Sequence, residues 1–163
     1  MWPDELLHAA RLLLADAEER GIKIATAESC TGGLVAALLT EIPGSSAVVE
    51  RGFVVYSNRA KEEMLGVPGD LIADAGAVSE PVARMMAEGA LQESRANLSV
   101  AITGVAGPGG GSPMKPVGLV HFAVARENKG VRHEVHRFGD IGREQVRYEA
   151  IKVALSMLAD FVH

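Results

Sequence analysis

Aromatic side chains are scarce: one Trp, two Tyr and four Phe make up 4% of the 163 residues. A core of the size such a chain needs must therefore be built from Ala, Val, Leu and Ile, which the 48% apolar content supplies. The lone cysteine, Cys30, excludes an internal disulfide and suits a reducing compartment. No apolar run approaches the roughly 18 residues of a membrane span. The N-terminus lacks the basic-then-apolar pattern of a secretion signal. Basic residues are outnumbered: 16 Lys and Arg against 21 Asp and Glu leave a formal charge of −5, which argues against a nucleic-acid partner. Clusters of Cys, His and carboxylates at metal-ligand spacing are also missing. The expectation is one cytoplasmic domain over residues 1–163, with no metal and no membrane partner.

What is present is a regular alternation of apolar patterns. Asp4 suits an N-cap, and Leu6, Leu7, Ala10, Leu13, Leu14 and Ala17 recur at helical spacing until Gly21. Residues 22–26 read as a buried strand and 31–41 as a helix stopped by Pro43-Gly44. A strand follows over 48–56, then a short helix around 59–65. Ser79 caps a helix with Pro81 in its first turn, running to about Glu93. Strands are expected at 98–103, 117–125 and 131–138, the last two joined by the turn Glu127-Asn128-Lys129-Gly130. A closing helix starts near 143. The order α-β-α-β-α-α-β-β-β-α predicts an α/β fold: a mixed, mostly parallel sheet with helices on both faces.

The chemistry concentrates in Thr26-Ala27-Glu28-Ser29-Cys30-Thr31-Gly32-Gly33. A strand, a small-residue turn and a helix start set the Ser29 hydroxyl beside backbone N–H groups. Ser29 is then either a helix cap or a nucleophile, with those amides stabilising an oxyanion or a phosphate. Cys30 competes as nucleophile, because a thiol at a helix start can have a lowered pKa, but adjacent side chains diverge. No histidine is well placed as a base: His8 and His163 are remote, His121 is isolated on a strand, and His133 and His136 should face opposite ways. Tyr56 at a strand end and Lys61 one turn into the next helix can instead converge on Ser29 as proton acceptors. The loop from Thr103 to Pro113 follows a strand end, where α/β sheets bind ligands, yet it matches neither a Walker A loop nor a dinucleotide fingerprint. Arg143 and Arg147, one turn apart, are the cations available for a phosphate.

Several segments, in order along nearly the whole chain, resemble the CinA C-terminal domain family. They are 26–33, Gly44-Ser45-Ser46, 51–58 with Lys61, Gly76-Ala77-Val78-Ser79-Glu80, Thr103-Gly104-Val105-Ala106-Gly107-Pro108 and Lys115-Pro116-Val117-Gly118. The resemblance implies a three-layer α/β/α sandwich, no cofactor, a homodimer, and hydrolysis of the carboxamide of nicotinamide mononucleotide. By motif, Ser29 would be the nucleophile, with Tyr56 and Lys61 assisting its deprotonation. Glu28, Cys30, Thr31, Gly32, Gly33, Ser46, Asn58, Thr103, Gly104, Ala106, Gly107 and Arg143 would bind substrate. The family pattern carries an arginine directly after Gly-Asp at the last helix. Here the run is Phe138-Gly139-Asp140-Ile141-Gly142-Arg143-Glu144, which leaves Arg143 or Arg147 for that role. A non-catalytic nucleotide-binding or regulatory module, or a hydrolase of another amide or phosphate substrate, is the alternative.

Overall fold

A computed structural model describes residues 1–163. Helix α1 (Asp4–Glu19) buries Leu6, Ala10, Leu13, Leu14 and Ala17 on one stripe. Pro3, not Asp4, holds its N-cap position, and Asp4 and Glu5 lie in the first turn, where the helix dipole favours negative charge. Then come β1 (Ile24–Glu28), α2 (Leu34–Glu41), a single 3-10 turn (Ser45–Ala47) and β2 (Val49–Val54). Three helices follow: α3 (Asn58–Leu65), α4 (Gly69–Ala75) and α5 (Glu80–Gln92). The chain ends with β3 (Leu98–Gly104), β4 (Leu119–Arg126), β5 (Gly130–Arg137) and α6 (Arg143–Val162).

The sheet order is β2-β1-β3-β4-β5. β1 is parallel to β2 and β3, while β4 is antiparallel to both β3 and β5, so four of the five strands point the same way. The mixed α/β sheet is as expected. One helix is additional: α4 follows Pro68, is seven residues long and opens on Gly69, so it carries too little periodicity to be seen beforehand. Helix α2 begins three residues later than expected, because Gly32 and Gly33 hold φ of 58° and 103° and keep the chain in a turn.

The two faces of the sheet bury different residues. On one, Ile24, Val100, Ile102, Val120, Phe122 and Val124 pack under α1, α2 and α6. On the other, Ala27, Ala101, Ala123 and Ala125 pack under Val82, Ala83, Met86, Ala87 and Ala90 of α5. Small residues on both sides bring α5 close enough for Ser99 Oγ to donate to the Ala87 carbonyl at 2.7 Å. The same closeness requires Gly89, where a Cβ would run into the Leu65 carbonyl oxygen of α3. Helix α3 is thereby held against α5, above the strand ends. No helix is long and apolar enough to cross a membrane.

Candidate active site

Alternation along β1 decides which way each residue of the motif points. Ile24 belongs to the core under α1, α2 and α6, and Ala27 to the core under α5. Ser29 keeps the parity of Ala27 and so faces α3, while Glu28 faces α2. The Ser29 N–H donates to the Ile102 carbonyl at 3.0 Å, fixing the residue in the crevice where β1 and β3 end. From β1 the chain goes on to β2 on one side and from β3 to β4 on the other, so the crevice between β1 and β3 is the usual position for ligands in α/β folds.

Ser29 does not cap α2. Gly33 occupies the N-cap position, and Glu28 supplies the acceptors instead: its two oxygens take the Val35 and Ala36 N–H groups at 2.9 and 3.1 Å. Glu28 is completely buried, and both oxygens are engaged by α2. It thus caps α2 and does not line the cavity over Ser29.

Lys61 is the residue brought to Ser29. Ser57 caps α3, accepting from the Ala60 N–H at 3.0 Å, and this cap sets the phase that turns Lys61 inward. Its Nζ lies 3.0 Å from Ser29 Oγ, 3.0 Å from the Val55 carbonyl and 3.2 Å from the Tyr56 carbonyl. Lys61 is only 1% exposed, and burial pushes its amine below the ordinary 10.5. In the neutral form two N–H bonds serve the two carbonyls and the lone pair is left for the Ser29 hydroxyl. That is the arrangement of a base beside a nucleophile. Ser29 Oγ also has the Tyr56 carbonyl at 3.5 Å.

The Tyr56 side chain is placed differently from expectation. Its ring is 62% exposed and its phenol accepts from Arg143 Nη2 at 3.2 Å, so only its backbone carbonyl meets Lys61. Proton transfer between Lys61 and Ser29 has a direct path that does not use the phenol. Cys30 belongs to the opposite core cluster, and burial pushes its thiol up to about 12, so it stays protonated at neutral pH.

A cavity of about 180 Å³ opens over Ser29 and Lys61. Its walls include the expected Cys30, Tyr56, Asn58, Thr103, Gly104, Ala106 and Arg143. Ala77 and Val78 were not expected there; they lie in the matched segment 76–80, held by a bond from Thr103 Oγ1 to the Ala77 carbonyl at 2.9 Å. Arg143 reaches across from α6, donating to the Gly107 carbonyl at 2.7 Å. Arg147 points elsewhere, onto the Cys30 and Thr31 carbonyls at 3.1 and 3.3 Å. Thr31 is fully buried with its hydroxyl unpartnered, and Gly32 and Gly33 shape the turn without lining the cavity. Ser46 lies in the 3-10 turn just before β2 starts, at the opposite end of the sheet from Ser29, and is not brought to the site.

The N–H groups of Cys30, Thr31, Ala106 and Gly107 make no backbone hydrogen bond, which leaves unpaired backbone donors in the turn after Ser29 and in the loop after β3. The histidines stay outside. His121 and His133 hydrogen-bond each other at 2.8 Å, and His136 stacks on Phe138 facing the other way. A larger cavity of about 440 Å³ between α1 and α6 is lined mainly by Leu and Ala.

The fold and site thus define an α/β/α sandwich with a buried serine–lysine pair at its strand ends. The model of the CinA C-terminal domain matches residues 7–162, and the chain belongs to that family. A CinA-like protein of Anaeromyxobacter dehalogenans is 52% identical over 148 residues, covering 90% of this chain and 36% of that protein. Another from Mycobacterium sp. (strain JLS) is 55% identical over 139 residues, covering 85% of this chain and 32% of its own length. The chain spans about a third of these relatives. Among solved structures, the competence/damage inducible protein CihA from Agrobacterium tumefaciens superposes with a TM-score of 0.98 at 52% identity, over 100% of this chain and 99% of that one. A CinA superfamily protein from Klebsiella pneumoniae gives 0.91 at 32% identity, over 96% and 97%.

Proposed function

We propose that the protein is an amidohydrolase that removes the carboxamide nitrogen of nicotinamide mononucleotide, yielding nicotinate mononucleotide and ammonia. The observation that carries this reading is the 3.0 Å contact between Lys61 Nζ and Ser29 Oγ in a buried crevice. The substrate follows from the family resemblance. Ser29 Oγ attacks the amide carbon while Lys61 takes the hydroxyl proton. Amides of the Cys30–Thr31 turn or of Ala106 and Gly107 hold the oxyanion, and loss of one such donor typically costs about 10²–10³ in turnover. Lys61 returns the proton to the leaving nitrogen, ammonia departs, and water, deprotonated by the same amine, hydrolyses the acyl-enzyme.

The cavity favours an amide held at one end of a longer ligand. At about 180 Å³ it falls below the roughly 300–1,000 Å³ of sites enclosing a whole drug-sized molecule. The ring and carboxamide would enter, leaving ribose and phosphate at the mouth beside exposed Arg143 and Tyr56. A homodimer agrees with the family resemblance. The test is ammonia release from nicotinamide mononucleotide by wild type, Ser29→Ala, Lys61→Ala and Cys30→Ala. Activity should vanish in the first two and survive in the third. Full activity in Ser29→Ala would refute the scheme, and ligand-dependent thermal stabilisation without ammonia would point to a binding module.

A further inference from the structure

We propose that Arg147 is a positioning residue that orients and polarises the oxyanion-binding amides beside Ser29; this rests on Ser29 acting as the nucleophile. In the turn after β1 the carbonyls of Ser29, Cys30 and Thr31 are all engaged, while two of its amides are not. The Ser29 carbonyl accepts from the Gly32 N–H at 3.0 Å, and the Thr31 carbonyl from the Leu34 N–H at 3.0 Å. Arg147 completes the set: Nε donates to the Cys30 carbonyl at 3.1 Å and Nη2 to the Thr31 carbonyl at 3.3 Å. The N–H groups of Cys30 and Thr31 have no backbone acceptor.

The peptide plane links the two observations. In a trans peptide the C=O and N–H point in opposite directions. Fixing the Cys30 carbonyl on Arg147 therefore aims the Thr31 N–H away from the guanidinium, while the Gly32–Ser29 bond aims the Cys30 N–H away from Gly32. A fixed cation at the carbonyl end also polarises the Cys30–Thr31 unit so that its N–H is a better donor. Gly32 permits the approach, since a Cβ there would stand 3.2 Å from Arg147 Nη2. Arg147 is half-buried and outside the cavity wall, so its effect on reaction must pass through the turn.

The experiment compares wild type, Arg147→Lys and Arg147→Gln by two readouts. One is phosphonylation of Ser29 by a fluorophosphonate, in which the Oγ–P bond forms as fluoride leaves and Lys61 takes the hydroxyl proton. The other is kcat and KM for ammonia release from nicotinamide mononucleotide. Arg147→Gln should lower labelling rate and kcat roughly 10- to 100-fold, the cost of slight misplacement at a reacting centre, with KM within about twofold. Arg147→Lys keeps the charge but cannot hold both carbonyls, and should recover part of the loss. Labelling and kcat within twofold of wild type in Arg147→Gln overturn the proposal, as does a rise in KM alone, which would make Arg147 a substrate contact. Should Arg147→Gln fail to fold, wild-type rates in Arg147→Lys overturn it equally. Wild-type labelling that depends on Arg147 without any ammonia release would sink the amidase reading while leaving this inference standing. A wild type that is not labelled at Ser29 overturns the inference itself.

Discussion

Replacing Lys61 by methionine separates what the amine does for stability from what it does for reaction. The variant keeps an unbranched side chain in a site that is 1% exposed but removes three hydrogen-bonding contacts, to Ser29 Oγ and the Val55 and Tyr56 carbonyls. Each is worth about 1 kcal/mol net. Against that loss stands relief from burying an amine, so the two terms oppose and the change in Tm at pH 9 should be small. The pH dependence is decisive. Burial lowers the folded-state pKa of Lys61 from the ordinary 10.5. Between that lowered value and 10.5 the unfolded chain binds the proton and the folded one does not, so wild-type stability falls as pH drops through this window and levels below it. Each unit of lowering corresponds to about 1.4 kcal/mol. Denaturant titrations of wild type and Lys61→Met from pH 6 to 10.5 should diverge by that amount, the variant gaining as pH falls. Reaction must follow the same proton. Wild-type kcat/KM should climb with pH and level at the folded value, below 10.5, while Lys61→Met loses about 10²–10⁴ in rate, the usual contribution of a general base. A stability difference flat across that range, or Lys61→Met retaining a tenth of wild-type turnover, refutes the reasoning.

Three further outcomes follow from the geometry. Glu28→Ala strands the buried Val35 N–H and the part-buried Ala36 N–H of α2 and should cost about 2–4 kcal/mol by urea denaturation, with Glu28→Gln recovering part. Gly32→Ala forces a side chain to φ 58° and against Arg147 at 3.2 Å; a loss of about 1–2 kcal/mol in stability is expected, with a fall in kcat. Burial and the neighbouring His133 lower His121 from 6.5 to about 4. Between those values the unfolded chain holds the proton and the folded one does not, so stability is lost as pH falls through the window. The loss should be about 2 kcal/mol after solvent screening of this partly exposed pair, and His121→Gln should flatten it in a thermal-melt series.

The elements visible beforehand were those with strong local patterns. α1, α5 and α6 carry long apolar stripes, and the hairpin between β4 and β5 turns on Asn128 and Gly130, both at positive φ. Helix α4 escaped because seven residues with two aspartates hold no such stripe. Ser46 and Glu28 sit in recognisable motifs, yet one lies at the wrong end of the sheet and the other is spent on α2. Motif membership records that a residue matters, not that it meets a ligand. Arg147 shows the converse: its spacing from Arg143 suggests a phosphate cation, and it instead grips the turn that follows Ser29.

Sequence by itself determined the α/β alternation, the family, and the serine and lysine as candidates, because these depend on residue type and short-range spacing. Only the tertiary structure decided that Ser29 and Lys61, 32 positions apart, meet at 3.0 Å. It also decided that the amine there is buried, which lowers its pKa from the ordinary 10.5. Protonation depends on how completely α3, α5 and the strand ends exclude water from one point, and no local pattern of residues encodes that exclusion.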